Sequence, residues 1–536
     1  MNEMLEKFSS VWPEVSLLVG AMACLIAGLS SDRSTRKATV WVAAISLLFA
    51  GLLAPDYESR KHGVFALFGL APFIKLAVVG LGLILLLISA GAPAALRQNR
   101  EADAAINFEP GDSFHGEYFA FMLLSLAGVM FTAGATDLVW LFLALELTSL
   151  PTYVLVAIGR DRASAQEAAV KYFFLGAFST AISLYGFTLI YGATGLTELG
   201  PIAAYIKEQP HSNSMFVLGL GLAITGICFK IAAVPMHFYA ADVYQGASTP
   251  VAALLAFVPK AAGFAALVLI LQTVGWQPLP ATVMWLLWII AALTMTIGNI
   301  LGLLQQSVKR TLAYSSVAHS GYLLIGVLAG PGLTGGAIGD GIAAVFFYLV
   351  AYGLGTIGAF AVLGCLSSKG EQADSYDDIS GLARRHPVLG ATMIISVLTL
   401  LGMPPLVGFL GKIYLFGSGI EAEFIGLVVI ALINSAISAG YYLRIASVCF
   451  FAEPSEHVDA PPALACRSGA VLAAVAAVAL GFVGGSIVHG TSDISATIRP
   501  NQSLLPPSPA MVELPGDPLA AKKHLATNSR LADQLK

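Results

Sequence analysis

The sequence predicts an all-α polytopic membrane protein of about 14 spans, and three features carry that prediction. Of 536 residues, 57% are hydrophobic and 11% charged, against about 45–50% and about 25% in soluble chains. The apolar residues fall in runs that reach the ~20 residues a helix needs to cross a bilayer. The 28 basic and 32 acidic side chains are too few to solvate a globule of this length. A soluble enzyme, a disordered chain and a nucleic-acid binder are thereby excluded.

Apolar runs between charged or Pro/Gly-rich breaks place the spans at 11–29, 38–54, 65–90, 117–135, 137–158, 167–191, 215–239, 249–273, 281–303, 311–330, 338–366, 388–417, 423–443 and 469–489. The leading MNEMLEKFSS is acidic rather than basic, and the run behind it is long enough to span, so a cleaved leader is not expected. Ala135-Thr136-Asp137 supplies the turn between spans 4 and 5. After residue 490 the composition turns to SLLPPSPA and a polar stretch, which predicts a flexible tail over 490–536. Five cysteines (Cys24, Cys228, Cys365, Cys449 and Cys466) lack the spacing that zinc or iron–sulfur ligation needs. No metal site and no redox residue is expected in this chain.

Orientation follows from lysine and arginine. Loops after odd-numbered spans carry fourteen of them, from Arg33 to Arg467, whereas the N-terminus and even loops carry four. The positive-inside rule then makes odd loops cytoplasmic and puts both termini on the other side.

A charge at mid-bilayer costs ~2.5–3.5 kcal/mol on insertion scales, so ionisable groups inside spans mark ion paths or interior ion pairs. Glu146 lies nine residues from Asp137, too deep to reach water, and reads as functional or as half of an interhelical ion pair. Lys230 precedes Pro235 by five residues, and Lys412 follows Pro404-Pro405 between Gly408 and Gly411. Broken helices at mid-membrane are tolerated beside protein or a wet cavity. Lys260 sits behind Pro259 and ten residues after Pro250, so Pro235, Pro250, Pro404 and Pro405 are read as helix breaks. Lys171 stands four residues after Glu167 on one helix face, which fits an interfacial salt bridge or a group that tunes Glu146. His319 and His237 are polar residues near spans, and His319 is the deeper. Lys75 follows Pro72 near a span end, where its stem can snorkel. GFLGK, around Lys412, lacks the spacing and the strand of a phosphate loop.

Lys230 and Lys412 fall five spans apart, each beside a proline break. Two five-helix units, spans 4–8 and 9–13, would be inverted repeats, and interrupted helices at matching positions of such repeats point to a transport site. The segments divide the chain into a three-helix part (1–116), a first repeat (117–273), a second repeat (281–443), a loop and last helix (444–489) and the tail (490–536).

ELTSLPTYVLVAI, EAAVKYFFLGAFSTAISLYG, FKIAAVPMHFYAADVYQGASTPVAALLAFVPKAAGFA, SVKRTLAYSSVAHSGYLLIG and GMPPLVGFLGKIYLF occur in that order. Together they resemble the antiporter-like membrane subunits of proton-pumping NADH–quinone oxidoreductase (respiratory complex I), the N type in particular. The resemblance implies 14 helices with inverted repeats at spans 4–8 and 9–13 and broken helices 7 and 12. It also implies a central proton-carrying axis at Glu146, Lys171, Lys230, Lys260, His319 and Lys412. This chain would bind no cofactor, while partner subunits would hold NAD, FMN, iron–sulfur clusters and quinone. The partners implied are the antiporter-like M subunit, the small K, J and A types and the peripheral redox arm, in a bacterial inner membrane. ADVYQG favours the N type over L and M relatives, whose loop runs through Pro-x-Ala-His. The family's Trp near Tyr239 and its prolines at Ala241 and Ser248 are missing here. Mrp-type Na⁺/H⁺ antiporter subunits and related membrane-bound redox complexes form the second reading. A purely structural membrane subunit, its buried charges paired for assembly, forms the third.

The mechanism expected from these residues is a Glu146–Lys230 pair whose separation changes. When the carboxylate swings toward Lys171, Lys230 loses its counter-charge in a low-dielectric site and releases a proton toward Lys260, His319 and Lys412.

Overall fold

A backbone in hydrocarbon must satisfy its own N–H and C=O groups, and long apolar runs do so as helices. The computed structural model describes residues 11–54, 70–97, 115–158, 163–208, 214–276, 279–332, 339–368, 371–455, 458–460 and 464–495. The first helices are α1 (Trp12–Gly28), α2 (Arg33–Leu53), α3 (Leu70–Arg97), α4 (His115–Ala133), α5 (Leu138–Ile158), α6 (Ala163–Thr194) and the short α7 (Leu199–Glu208). Next come α8 (Ser214–Lys230), α9 (Ala240–Gly246), α10 (Thr249–Gln272), α11 (Ala281–Leu303), α12 (Val308–Ala329) and α13 (Gly341–Gly364). The chain continues with α14 (Leu382–Arg385), α15 (Pro387–Leu401), α16 (Val407–Glu421), α17 (Ile425–Phe451) and α18 (Leu464–Ser495). Among the described residues, eleven helices are long and apolar enough to cross a membrane, and α1, α8 and α15 are shorter apolar helices.

Polar caps set several starts. Asp32 Oδ1 accepts from the Ser34 N–H at 3.2 Å, and the hydrogen bonds from Ser34 and Thr35 hold its carboxyl below the ordinary range. Asp137 Oδ1 accepts from Val139 N–H at 2.7 Å at the head of α5, and Asp340 Oδ1 accepts from Ala343 N–H at 2.9 Å at the head of α13. Each satisfies an N–H that has no partner within the helix.

The centre of the bundle is made by helices that are apolar all round. The apolar window of α10 is 100% buried and that of α13 94% buried, whereas that of α2 is 22% buried. α10 packs on α13 and meets α4, α5, α8 and α12, so residues of both proposed halves surround it. Small residues permit the closest approaches, as at membrane helix interfaces generally. A Cβ at Gly186 on α6 would lie 2.4 Å from the Ala223 nitrogen on α8.

Several expectations need correction. The all-α expectation holds for every span-length element described, and only in the loops do two-residue strands β1 (Ser367–Ser368), β2 (Glu371–Gln372) and β3 (Val458–Asp459) pair antiparallel in the order β2-β1-β3. They pair because loop backbone groups need partners just as helical ones do. Pro250 is not a break. It occupies the first turn of α10, where a missing N–H costs no hydrogen bond. Pro235 lies in the non-helical stretch between α8 and α9, and Pro404 and Pro405 lie between α15 and α16. α18 runs on to Ser495, so the expected tail begins as helix, and residues 496–536 lie outside the described residues. The start expected for span 3, 65–69, lies outside them too.

Candidate functional site

Lys230 is the last residue of α8, so its stem leaves the helix where backbone carbonyls lose their intrahelical partners. Its side chain is 5% exposed. Nζ donates to Glu146 Oε1 at 3.0 Å and to the Ser149 hydroxyl, one turn further along α5. The Thr180 hydroxyl on α6 donates to the same carboxylate oxygen at 2.8 Å. One buried cation, one carboxylate and two hydroxyls thus form a site spread over three helices.

Lys260 lies mid-way along α10, whose Pro259 does not end it. It is 1% exposed, and Nζ donates to the Ser316 carbonyl and, at 2.7 Å, to the Ser320 hydroxyl, both on α12. Ser320 in turn donates to the carbonyl of Ile231, the residue after Lys230. Tyr352 donates to Ser316 Oγ at 2.7 Å, and Nζ stands 5.2 Å from the Tyr352 ring centroid.

His319, one turn along α12, is held between two phenols. Nδ1 is 2.7 Å from the Tyr348 hydroxyl and Nε2 is 2.8 Å from the Tyr442 hydroxyl, which also meets Ser315. In a neutral imidazole one nitrogen donates and the other accepts. A ring held at both nitrogens can take a proton on one side and give it up on the other.

Lys412 lies on α16, 6% exposed. Nζ reaches back across the break to the carbonyl of Leu401, the last residue of α15, at 2.7 Å, and to Ser435 Oγ on α17 at 2.9 Å. The end of a helix carries a partial negative charge that suits an ammonium. The Tyr322 ring centroid stands 5.3 Å away, within cation–π range. Behind that ring, Asn299 joins Tyr322 OH at 2.9 Å and accepts from Tyr441 OH at 2.8 Å.

Lys171 is elsewhere. It pairs with Glu167 at 2.8 Å, as its spacing suggests, and with Asp242 on α9 at 3.0 Å, and its side chain is 43% exposed. Glu146 touches Thr180, nine residues further along the same helix. Nine residues span ~13 Å, and helical side chains lean toward the N-terminus. On α6, Thr180 is the residue that hydrogen-bonds Glu146, and Lys171 pairs with Glu167 and Asp242.

Lys75 also departs from expectation. It does not snorkel; it is buried on α3 and pairs with Glu14 of α1 at 2.7 Å. His237 is buried in the stretch between α8 and α9.

Sequence reasoning missed the hydroxyls and phenols, namely Ser149, Thr180, Ser316, Ser320, Tyr348, Tyr352 and Tyr442, and it missed Asp242. A signal existed in YSSVAHSGY, which is unusually polar for an apolar span, and in Tyr348 and Tyr352, four apart on one face of α13.

A profile described as NADH:quinone oxidoreductase/Mrp antiporter, transmembrane, matches residues 135–438. The chain is 38% identical to the NADH-quinone oxidoreductase subunit N of Trichlorobacter lovleyi, over 85% of this chain and 91% of that one. Among solved structures, it is similar to a chain of respiratory complex I from Thermus thermophilus with bound aureothin, at 32% identity and a TM-score of 0.72, covering 89% of this chain and 98% of that one. A chain of the Mrp complex from Dietzia sp. DQ12-45-1b shares the fold, with a TM-score of 0.73 at 21% identity, covering 92% of this chain and 97% of that one.

Proposed function

The chain belongs to the NADH:quinone oxidoreductase/Mrp antiporter transmembrane family, and from that premise we propose that it is the N-type antiporter-like subunit of a proton-pumping NADH–quinone oxidoreductase. The single observation that carries the reading is buried Lys230, paired with half-buried Glu146 at the end of an interrupted helix, with Lys260, His319 and Lys412 also inside the bundle. Buried cations with so few counter-charges are costly and need a use.

In this reading the membrane is crossed 14 times, with α8–α9 and α15–α16 each forming one broken span. Spans 4–8 and 9–13 are inverted repeats, and both termini lie on the non-cytoplasmic side of a bacterial inner membrane. Partner subunits hold NAD, FMN, iron–sulfur clusters and quinone and carry out the redox chemistry. The neighbours are the antiporter-like M subunit, the small K, J and A types and the peripheral arm. This chain moves protons.

Protons arrive at the exposed Lys171 end. While Glu146 holds Lys230, the ammonium is favoured. When the carboxylate turns fully to Thr180 or takes a proton arriving from the Lys171 side, Lys230 loses its counter-charge and releases its own proton. Ser320, bonded to both Lys260 and the Ile231 carbonyl, bridges the lysine sites. Tyr348, His319 and Tyr442 continue the line, and Lys412 stands last, toward the far face.

Isolation of the native assembly tests the assignment. Co-purification with iron–sulfur subunits and quinone-linked proton uptake into vesicles is the expected result. Na⁺/H⁺ exchange without a redox partner would instead favour an Mrp-type antiporter subunit.

A further inference from the structure

The seven-residue α9 follows the Lys230 break and has a non-helical joint at each end, residues 231–239 before it and Ala247 and Ser248 after it. Backbone bonds extend α9 a turn into each joint, Val243 N–H to the Tyr239 carbonyl at 3.0 Å and Ala247 N–H to the Val243 carbonyl at 2.9 Å, and side-chain contacts tie it to neighbouring helices. Asp242 supplies two of them from one carboxylate. Oδ2 takes Lys171 of α6 at 3.0 Å, and Oδ1 takes Arg310 of α12 at 2.8 Å. One tie thus runs to the first proposed repeat and the other to the second. Gln245, one turn on, accepts from Arg310 at 3.1 Å and donates to Asp374 Oδ2 at 2.8 Å. Gly246 lets α9 lie against α6, since a Cβ there would stand 2.5 Å from the Ala168 Cβ. Lys171, at 43% exposure, and Asp242, at 39%, form the open end of this arrangement.

We infer that Asp242 is a positioning residue, a latch that holds α9 between the two repeats and so keeps the broken segment after Lys230 closed to free proton passage. The inference rests on the proton-pumping reading above and adds a residue and a task to it. Its chemistry is that of a shared counter-ion. The carboxylate stays neutralised by Arg310 when Lys171 changes partner, so α9 remains seated through the cycle. Without the carboxylate, Lys171 and Arg310 repel each other across the end of α9, the segment comes loose, and Lys230 equilibrates with both sides.

The test uses the assembled complex in sealed vesicles and reads protons moved per quinol formed together with passive proton leak under an imposed potential. Asp242→Asn is expected to raise the leak about fivefold, the factor that an exposed ion pair can supply, and to lower the proton-to-quinol ratio. Asp242→Glu should restore both, and Lys230→Met in the Asp242→Asn chain should abolish the leak, because the leak passes through that lysine. An unchanged ratio and leak in Asp242→Asn overturns the latch. So does a leak that persists without Lys230, which would mean general loosening of the bundle. Should Asp242→Asn fail to assemble, Arg310→Gln and Lys171→Met each cut one tie. An intermediate leak from each supports the latch, and no leak from either overturns it. Failure of the parent reading would look different, since Lys230→Met alone would then pump normally.

Discussion

Lys230 and Lys412 are both buried beside an interruption in a helix, yet they are stabilised by different means. Lys230 has a carboxylate, Glu146, at 3.0 Å. Lys412 is held by neutral groups among the described residues: the terminal carbonyl of α15, the Ser435 hydroxyl and the face of Tyr322. A carboxylate is a strong partner that can be moved away. A helix end is a weaker partner that is fixed in the fold. In the proposed proton-pumping reading, that contrast puts the switch at the first site and a static receiving role at the second.

The largest consequence concerns transfer itself. Lys230→Met should slow proton transfer through this subunit by about 100-fold, the low end for loss of a proton-transferring group, and so remove its share of quinone-linked pumping, as read by dye quenching in vesicles with assembly checked by native gel. Lys412→Met should impair pumping less if its role is to receive rather than to switch, and equal losses would erase the distinction.

Stability separates the sites next. Glu146→Ala strands a buried ammonium, a change that costs about 3–5 kcal/mol. Lys412→Met leaves the Ser435 hydroxyl free to bond a carbonyl of its own helix and strands only the Leu401 carbonyl, at about 1–3 kcal/mol. Thermal denaturation of the purified complex should show the larger fall for Glu146→Ala, and the reverse order would mean that Lys412 has an acidic partner after all.

A smaller effect is expected in the connection between the sites. Tyr348→Phe together with Tyr442→Phe removes two hydrogen bonds from His319, about 1 kcal/mol each, and should slow transfer through this subunit by roughly 30-fold, with assembly intact. Smallest of all, Thr180→Val removes one hydrogen bond from Glu146, worth about 1 kcal/mol, and should lower the pumping rate a few-fold while leaving the proton-to-quinol ratio alone.

Much of this was legible in the sequence for a simple reason. A Glu or Lys in an apolar run stands out because hydrocarbon penalises charge, so Glu146, Lys230, Lys260 and Lys412 could be read from spacing alone. Tyrosine and serine carry no such penalty, and the phenols around His319 look like ordinary span residues until helices from distant parts of the chain meet. Pro250 was misread because a proline breaks a helix or starts one according to its position, and the sequence around it does not say which turn it occupies. The snorkelling expected of Lys75 fails because its partner, Glu14, lies two spans away in the sequence. Asp242 was overlooked for the same reason: both of its cations come from other helices.

The most direct measurement is the number of protons moved per quinol by the assembled complex carrying Glu146→Gln and Lys230→Met together. A switch built on this pair predicts loss of this subunit's share of the protons while the complex still assembles. A ratio equal to that of the unmodified complex would contradict it.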